Sequence, residues 1–301
     1  MYDNIRTLNS VFFIVGGYMK KILVMPKNIE TISRTSKYVD GYIIGIENLC
    51  INPSFCVNMG TIDVLRNLYG KELFININKN MTDDDLYKVK EYLLRLNNYH
   101  IKGIFVYDIG VFNLYKKLNL NYDIYWDQEH LTTNYASINY WNNEGFNGVH
   151  ISNDITSEEI EEILDNVDCK TFMTVFGYIP MFSSKRHIVD NYLDYFKLSN
   201  KSKINYIEKE EKIYPIVDKY SGTICYSNNI LNGIEAYLNL DIDYCILDNF
   251  NLDLSKFIKV LEMYRLVNKK NVHNYVDKIK KIFKNVDNGF LNTKTIYKVK
   301  K

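Results

Sequence analysis

Residues 72–107 read ELFININKNMTDDDLYKVKEYLLRLNNYHIKGIFVY, a pattern that predicts a strand, a helix and a second strand in succession. Glu72–Ile77 and Gly103–Tyr107 are short runs of apolar, β-branched and aromatic residues, typical of parallel strands buried on both faces. Thr82 and the acidic residues Asp83–Asp85 predict a capped helix start. Apolar residues follow at helical spacing, at Leu86, Val89, Tyr92, Leu93 and Leu96. The stretch therefore predicts one β–α–β unit.

The same unit recurs along the chain about every 25–30 residues, the spacing expected of an α/β barrel. The other strand-like runs are Ile22–Met25, Gly41–Ile46, Asp123–Trp126, Gly148–Ile151, Thr171–Phe176 and Tyr244–Leu247. Eight such strands predict an α/β fold of the (β/α)8 TIM-barrel-like type. A dinucleotide-binding doubly wound sheet is disfavoured, because no glycine fingerprint follows the first strand.

Three segments depart from the repeated unit. Residues 204–226 combine two strand-like runs with Ser221 and Gly222, and we expect a β-hairpin insertion there. Residues 254–301 predict a basic C-terminal helical segment packed on the barrel, which leaves 19–253 as the barrel domain. Its apolar stripe is predicted at Phe257, Val260, Leu261, Tyr264 and Leu266. We expect residues 1–18 to be an N-terminal extension, because Met19 directly precedes the first strand-like run.

The composition is that of a globular protein, with 47% hydrophobic and 24% charged residues among 301. It excludes collagen-like, disordered and membrane-spanning classes, and the apolar run Val11–Tyr18 is too short to cross a bilayer. The net charge is +1, but from Lys256 onward 13 basic residues face 3 acidic ones, a balance of +10. This basic tail predicts either a solvated helix face or a patch that contacts phosphates.

Five cysteines without a CxxC pair argue against a disulfide framework and against a zinc site. His130, His150 and His187 lack the spacing of a metal triad, so no metal is predicted. The cysteine usage fits a reducing compartment, and we expect the protein in the cytoplasm without a membrane partner.

Polar residues at the C-terminal ends of the predicted strands are the candidate site residues, because barrel functional groups come from these ends and the following loops. Gln128 and Glu129 stand out, since the strand ending at Trp126 runs directly into polar residues. The catalytic candidates are Glu47, Asp108, Gln128 and Glu129. The candidates for binding are Asn76, Asn78, Thr132, Asn134, Ser184 and Arg186. Ordinary caps or turns are the alternative for Asp108, Asn76 and Asn78.

Four segments together resemble the collagenase-like peptidase family U-32. They are Asp40–Glu47 (DGYIIGIE), Trp126–Trp141 (WDQEHLTTNYASINYW), Phe176–Arg186 (FGYIPMFSSKR) and Tyr214–Thr223 (YPIVDKYSGT), in the family's order. The resemblance implies a barrel fold and a nominal peptidase activity. It also implies kinship with factors for RNA-base or quinone-ring hydroxylation that hold an iron–sulfur cluster on four cysteines.

The sequence departs from those relatives at the cluster positions. Phe176 stands where they have a histidine, and Pro180 and His187 stand where they have cysteines, while Gly177 and Ser184 match. Proline cannot ligate iron, so we expect no cluster and predict no cofactor.

Three functions follow as hypotheses. The resemblance places a peptidase first, with carboxylates among Glu47, Asp108 and Glu129 as an acid/base pair. The alternative is a cluster-free factor in tRNA or rRNA base modification, in which the basic tail and aromatic residues grip RNA. Candidate stacking residues are Tyr125, Trp126, Tyr135 and Tyr140, all of which could equally belong to the core. The third hypothesis is a non-catalytic ligand-binding barrel, or a subunit without a cluster that works with a protein partner carrying one. The substrate is thus an unknown peptide or RNA.

Overall fold

The computed structural model describes residues 20–68, 70–128, 130–199 and 202–293, without the side chains of 66 and 67. In chain order its strands are β1 (Lys21–Met25), β2 (Gly41–Ile46), β3 (Cys56–Val57), β4 (Glu72–Ile77), β5 (Gly103–Val106), β6 (Asp123–Trp126), β7 (Gly148–His150), β8 (Lys170–Ser184), β9 (Asn205–Lys209), β10 (Lys212–Lys219), β11 (Gly222–Asn232), β12 (Tyr244–Asp248) and β13 (Val286–Asp287). The helices are α1 (Ile29–Thr35), α2 (Asp83–Leu96), α3 (Ile109–Lys117), α4 (Tyr135–Glu144), α5 (Ser157–Asp165), α6 (Ile188–Tyr195), α7 (Ile234–Asn239), α8 (Leu254–Leu266) and α9 (Val272–Ile282), with 3₁₀ turns at Ser36–Tyr38 and Ile62–Leu68.

Eight parallel strands form a closed barrel. Strands β1, β2, β4, β5, β6, β7 and β8 pair in that order, and β12 closes the ring by pairing in parallel with both β8 and β1. Helices lie between successive barrel strands, except between β2 and β4, where β3 and the 3₁₀ turn Ile62–Leu68 form the connection. The predicted (β/α)8 TIM-barrel-like fold is thereby confirmed.

Polar side chains cap the starts of two barrel helices, the first of which the sequence predicts. Thr82 and Asp85 form a reciprocal capping box at α2, and Thr156 and Glu159 form another at α5. Each box satisfies backbone N–H groups that a helix start leaves unpaired. The capped starts of α2 and α5 thus fix the positions at which these helices begin.

Aromatic and aliphatic side chains fill the barrel interior. The Phe74 ring lies within 5.3–5.7 Å of the rings of Phe105, Tyr125, Phe172 and Tyr244. One step further along the strands, toward their C-terminal ends, the buried side chains become polar: Asn76, Asp127, His150, Thr174 and Asp248. The interior is therefore a packed apolar plug, with a polar layer at the end where barrel sites are found.

Strand β8 differs from the prediction because it continues past Phe176 to Ser184. The chain leaves the barrel at Gly177, whose φ of +127° suits glycine. Its extension pairs antiparallel with β11, with Pro180 opposite Tyr226 where the register shifts. Glycine and proline are usual strand breakers, which is why the sequence predicted an end here.

The expected hairpin near 204–226 is present and belongs to a larger sheet. Strands β10 and β11 are joined at Tyr220 and Ser221, next to Gly222. Strand β9 adds a second hairpin, with Glu210 and Glu211 at φ +51° and +62° in its turn. With the β8 extension, these strands form an antiparallel sheet beside the barrel mouth.

The C-terminal helices α8 and α9 follow the barrel, as predicted. Phe257, Val260, Leu261 and Tyr264 are buried, but Leu266 is 64% exposed, because α8 ends at that residue. Residues 283–293 are not helical and contain β13, which pairs with β11. The predicted extension 1–18 and residues 294–301 of the tail lie outside the described residues. None of the described helices has both the length and the apolar composition needed to cross a bilayer.

Candidate functional site

Asp127 is the centre of the polar layer at the barrel mouth. It follows β6 directly, is 3% exposed, and its backbone N–H donates to the Val106 carbonyl. Its Oδ1 lies 2.7 Å from His150 Nδ1. Its Oδ2 accepts hydrogen bonds from Asn78 Nδ2 at 2.9 Å and from Asn76 Nδ2 at 3.3 Å. Three neighbouring side chains thus hold this carboxylate in one position.

His150 ends β7 and links Asp127 to the next strand. Its Nε2 lies 3.2 Å from the Thr174 hydroxyl on β8. Because the carboxylate facing Nδ1 accepts hydrogen bonds, it favours the tautomer that carries the proton on Nδ1. Nε2 then accepts from Thr174. A His–Asp pair arranged in this way can store or move a proton.

A cavity of about 130 Å³ opens above the carboxylate. Amide side chains and aromatic rings share its wall with Asp127: Asn78, Asn80, Gln128, Tyr107 and Phe182. A smaller void of about 10 Å³ lies beneath, lined by Asn76, Asp127 and His150. Asp127 therefore faces a ligand-sized space, while His150 and Asn76 support it from below.

The structure brings three of the sequence-predicted residues to this cavity or its support. Asn78 and Gln128 line it, and Asn76 holds Asp127 from the inner side. Thr132 is buried nearby, where its hydroxyl donates to the Gln128 carbonyl and positions that segment. Glu129, the other leading candidate, lies outside the described residues.

The remaining predicted residues lie elsewhere. Asp108 caps α3, and its two oxygens accept from the N–H groups of Gly110 and Met81. Asn134 caps α4. Glu47 accepts from Asn58 in a separate cavity. Ser184 and Arg186 lie at the C-terminal end of β8, where the Arg186 N–H donates to the Ser184 hydroxyl.

The candidate stacking residues divide between core and surface. Tyr125 is fully buried in the barrel interior. Trp126 is buried and stacks on Trp141, with the ring centres 4.0 Å apart. Tyr135 and Tyr140 are exposed on α4. The rings that do line the cavity, Tyr107 and Phe182, were not singled out from the sequence.

Sequence reasoning also missed the pairing of Asp127 with His150. His150 is the last residue of β7, and Asp127 directly follows the neighbouring strand β6. The usable signal was a histidine at the end of one buried strand and an aspartate at the end of its neighbour, since adjacent parallel strands bring these ends together.

Two further titratable side chains near the mouth are Lys219, which is partly buried, and Asp248, which is buried. The Lys219 ammonium donates to the carbonyls of Ile51, Asn52 and Pro53 at 2.9, 2.6 and 3.3 Å. Burial lowers the pKa of Lys219. Burial raises the pKa of Asp248 to about 7, although the Phe250 N–H and the charge of Lys219 oppose the shift. Asp248 is thus poised to change charge near neutral pH.

Asp248 is expected to make stability depend on pH. Its pKa of about 7 in the folded chain exceeds the value of about 3.9 in an unfolded one, so the folded state binds the proton more tightly. Stability is therefore lost as pH rises from about 4 to about 7. We expect Asp248→Asn to be more stable than the parent by roughly 2–4 kcal/mol at pH 8, and by less at pH 5. Urea denaturation at both pH values measures this, and an equal difference at the two would contradict it.

The residues available for a metal or cluster are limited. Among the described residues, one group of three or more His, Cys, Asp or Glu side chains has ligand atoms within 4.8 Å of each other: His187, Asp190 and Asp218. Asp218 is engaged there as a cap, since it accepts from the Asp190 N–H at 2.9 Å and the Thr223 hydroxyl at 2.5 Å.

The cluster implied by the resemblance does not fit these residues. All five cysteines lie in the described part of the chain, and none belongs to that three-residue group. Phe176 packs in the core against Phe257, at 6.2 Å between ring centres. Pro180 lines the rim of the cavity. The four thiolates that such a cluster needs are therefore not assembled here.

Comparison with known proteins yields one family and two curated relatives. The family model described as peptidase family U32 matches residues 58–295. The chain is 24% identical over 253 residues to "tRNA hydroxylation protein P2" of Bacillus subtilis (strain 168), covering 76% of this chain and 82% of that protein. It is 20% identical over 125 residues to "tRNA hydroxylation protein P1" of the same strain, covering 42% of this chain and 30% of that protein. A GH18 chitinase from Cycas revoluta is similar with a TM-score of 0.39 and 9% identity, over 80% of this chain and 98% of its own.

Proposed function

The chain belongs to peptidase family U32, and from that premise we propose that it takes part in tRNA hydroxylation by holding one tRNA base at the barrel mouth. Two relatives named for tRNA hydroxylation support RNA as the substrate class over peptide. The match to the P2 protein spans most of both chains. The observation that carries the proposal is the cavity above Asp127.

The size of that cavity suits a single base. A cavity of about 150 Å³ holds one benzene molecule. The space of about 130 Å³ above Asp127 therefore matches one six-membered ring, such as a pyrimidine. A base in this space would be flipped out of its strand, as in other enzymes that act on a base.

The chemistry of the wall suits a base as well. Tyr107 and Phe182 offer aromatic faces, on which unstacked bases bind. Asn78, Asn80 and Gln128 offer amides that donate and accept along a base edge. The Asp127 carboxylate accepts an N–H of the base, and His150 fixes that carboxylate from behind.

A path for the flanking RNA runs from this cavity toward the basic C-terminal segment. His130 and Pro180 line both the base-sized cavity and a second cavity of about 580 Å³. Gly289 and Phe290 line the far side of the second cavity. They follow helix α9, and exposed lysines on this helix and just after it can contact phosphates: Lys278, Lys280, Lys281 and Lys284.

The peptidase hypothesis has less support. Of its three candidate carboxylates, Glu47 and Asp108 are engaged in separate places, one by Asn58 and the other by the start of α3, and Glu129 lies outside the described residues. We infer the cytoplasm as the location, since tRNA and five free cysteines both fit a reducing compartment. A protein partner that supplies the oxidising group remains part of the proposal.

The test is nucleoside mass spectrometry of total tRNA and rRNA from a deletion strain, its parent, and the deletion strain carrying the intact gene. We expect a hydroxylated tRNA nucleoside to disappear in the deletion strain and to return with the gene, but not with the empty vector. Identical profiles in all strains would contradict the proposal. If only rRNA nucleosides changed, RNA modification would still be supported, but tRNA would be excluded as the substrate.

A further inference from the structure

Two of the five cysteines lie side by side, away from the base-sized cavity. Cys50 Sγ and Cys56 Sγ are 3.4 Å apart; Cys50 lies in the loop that follows β2, and Cys56 is the first residue of β3. Cys56 Sγ also lies 3.5 Å from the Pro53 carbonyl, in the segment that joins the two cysteines. Neither thiol has a role in the function proposed above, and the pair was not apparent from the sequence.

Gly45 on β2 makes room for both sulfur atoms. A Cβ at this position would lie 2.3 Å from Cys50 Sγ and 2.7 Å from Cys56 Sγ, distances at which atoms overlap. The two thiols therefore rest directly on the backbone of a barrel strand. Their separation is set by the barrel wall on one side and the loop on the other.

The pair opens onto solvent through a separate cavity of about 660 Å³. Cys50 is 5% exposed, whereas Cys56 is only partly buried. A small molecule entering this cavity reaches Cys56 first and Cys50 behind it. This order is that of an attacking thiol and a resolving thiol.

The electrostatics distinguish the same two roles. The hydrogen bond from Cys50 and the charge of Lys219 lower the pKa of Cys56, against the effect of its own burial. The pKa of Cys50 is raised, first by that hydrogen bond and then by burial. Burial raises the pKa of Cys169 to about 11 and that of Cys245 to about 12. Cys56 is therefore the cysteine best able to act as a thiolate.

We propose that Cys50 and Cys56 form a redox-active dithiol whose substrates are small-molecule disulfides. The Cys56 thiolate attacks one sulfur of the disulfide, forms a mixed disulfide and releases one thiolate. Cys50 loses its proton, attacks the Cys56 sulfur and expels the second thiolate, which closes the Cys50–Cys56 disulfide. Two electrons pass from the dithiol to the small disulfide, which leaves as two thiols.

The position of the pair connects its redox state to the barrel mouth. The loop between the two cysteines supplies all three carbonyls that hold Lys219. It also supplies the Ile51 N–H, which donates to Asn78 Oδ1 at 3.2 Å. Closing the disulfide shortens the sulfur separation from 3.4 Å to about 2.05 Å and so pulls on this loop.

The first test uses the full-length protein equilibrated with oxidised and reduced dithiothreitol in varied ratio. We expect reversible loss of two hydrogen masses, and peptide mapping after alkylation should find Cys50 joined to Cys56. Cys56→Ser should lose this reaction, whereas Cys169→Ser, the matched control, should keep it. No mass loss in excess oxidant, or a disulfide that joins other cysteines, would overturn the proposal.

The second test separates the two thiols with oxidised glutathione as the probe. Cys50→Ser should accumulate a mixed disulfide on Cys56, because the resolving thiol is gone, while the parent chain should proceed to the closed disulfide. In the reduced parent at pH 7, iodoacetamide should modify Cys56 about tenfold or more faster than Cys169. A mixed disulfide that persists on the parent chain, or equal alkylation rates, would count against the dithiol.

Discussion

Asp127→Asn is expected to reduce strongly the tRNA modification that the intact gene restores, while the variant protein remains folded. The new amide can accept from Asn76 and Asn78 through its oxygen and donate to His150 Nδ1 through its nitrogen. Every hydrogen bond of the site survives, but His150 must then carry its proton on Nε2 and donate to Thr174. The change removes one negative charge and reverses the imidazole tautomer, at little cost in stability.

The expected loss is about tenfold to a hundredfold, because the carboxylate that accepts the base N–H is gone and a hydrogen bond to a charged group contributes about 1.5–3 kcal/mol. Nucleoside mass spectrometry of tRNA from the deletion strain carrying the variant gene measures it, with immunoblotting to confirm equal protein levels. The matched control is Asp253→Asn on α8, where the carboxylate only caps a helix by accepting from the Lys256 N–H. Asparagine caps helices equally well, so full restoration is expected there.

Full restoration by Asp127→Asn at normal protein levels would show that the carboxylate is not needed, and the base-binding proposal would lose its central residue. His150→Gln is an independent test of the same pair. It keeps a side chain that can accept from Thr174, but it removes the imidazole. Loss with Asp127→Asn and full restoration with His150→Gln would assign recognition to the carboxylate alone.

The barrel itself could be predicted because its strands are buried on both faces. Ile22–Met25 and Gly41–Ile46 have no polar alternation, and each coincides with a barrel strand to within one residue at either end. For these two strands the local run of apolar residues was enough to predict the strand and its ends. Local signals failed at β8, where Gly177 and Pro180 predict an end, because only pairing with distant β11 extends the strand.

The candidate site was harder to predict because it depends on which strand ends become neighbours. Asn76 and Asn78 were selected by position, but their common partner Asp127 is 51 and 49 residues away. Asp108 has the same local pattern of a polar residue after a buried strand, yet its carboxylate turns back to cap α3. The sequence predicts where each strand ends. The pairing register of the strands in the barrel, which the sequence does not show, determines which side chains face the cavity.

Lys219→Met is expected to destabilise the fold by about 1.5–3 kcal/mol, the range for losing a hydrogen bond to a charged group. The Lys219 side chain is partly buried, and its ammonium donates to three carbonyls of the 51–53 segment. Methionine has nearly the same shape but cannot donate, so those carbonyls lose a charged partner without gaining water. A folded domain has only about 5–15 kcal/mol of stability in total, so this loss is large.

Urea denaturation followed by circular dichroism measures the change. Lys185→Met is the matched control, because Lys185 also donates to a carbonyl, that of Met81 at 3.2 Å, but from an exposed position. Its effect should stay within about 0.5 kcal/mol, as for most surface substitutions. Equal stabilities for the two variants would mean that water reaches the 51–53 carbonyls. The 51–53 segment around Lys219 would then be open to solvent, and the screened ammonium would favour the thiolate of Cys56 less.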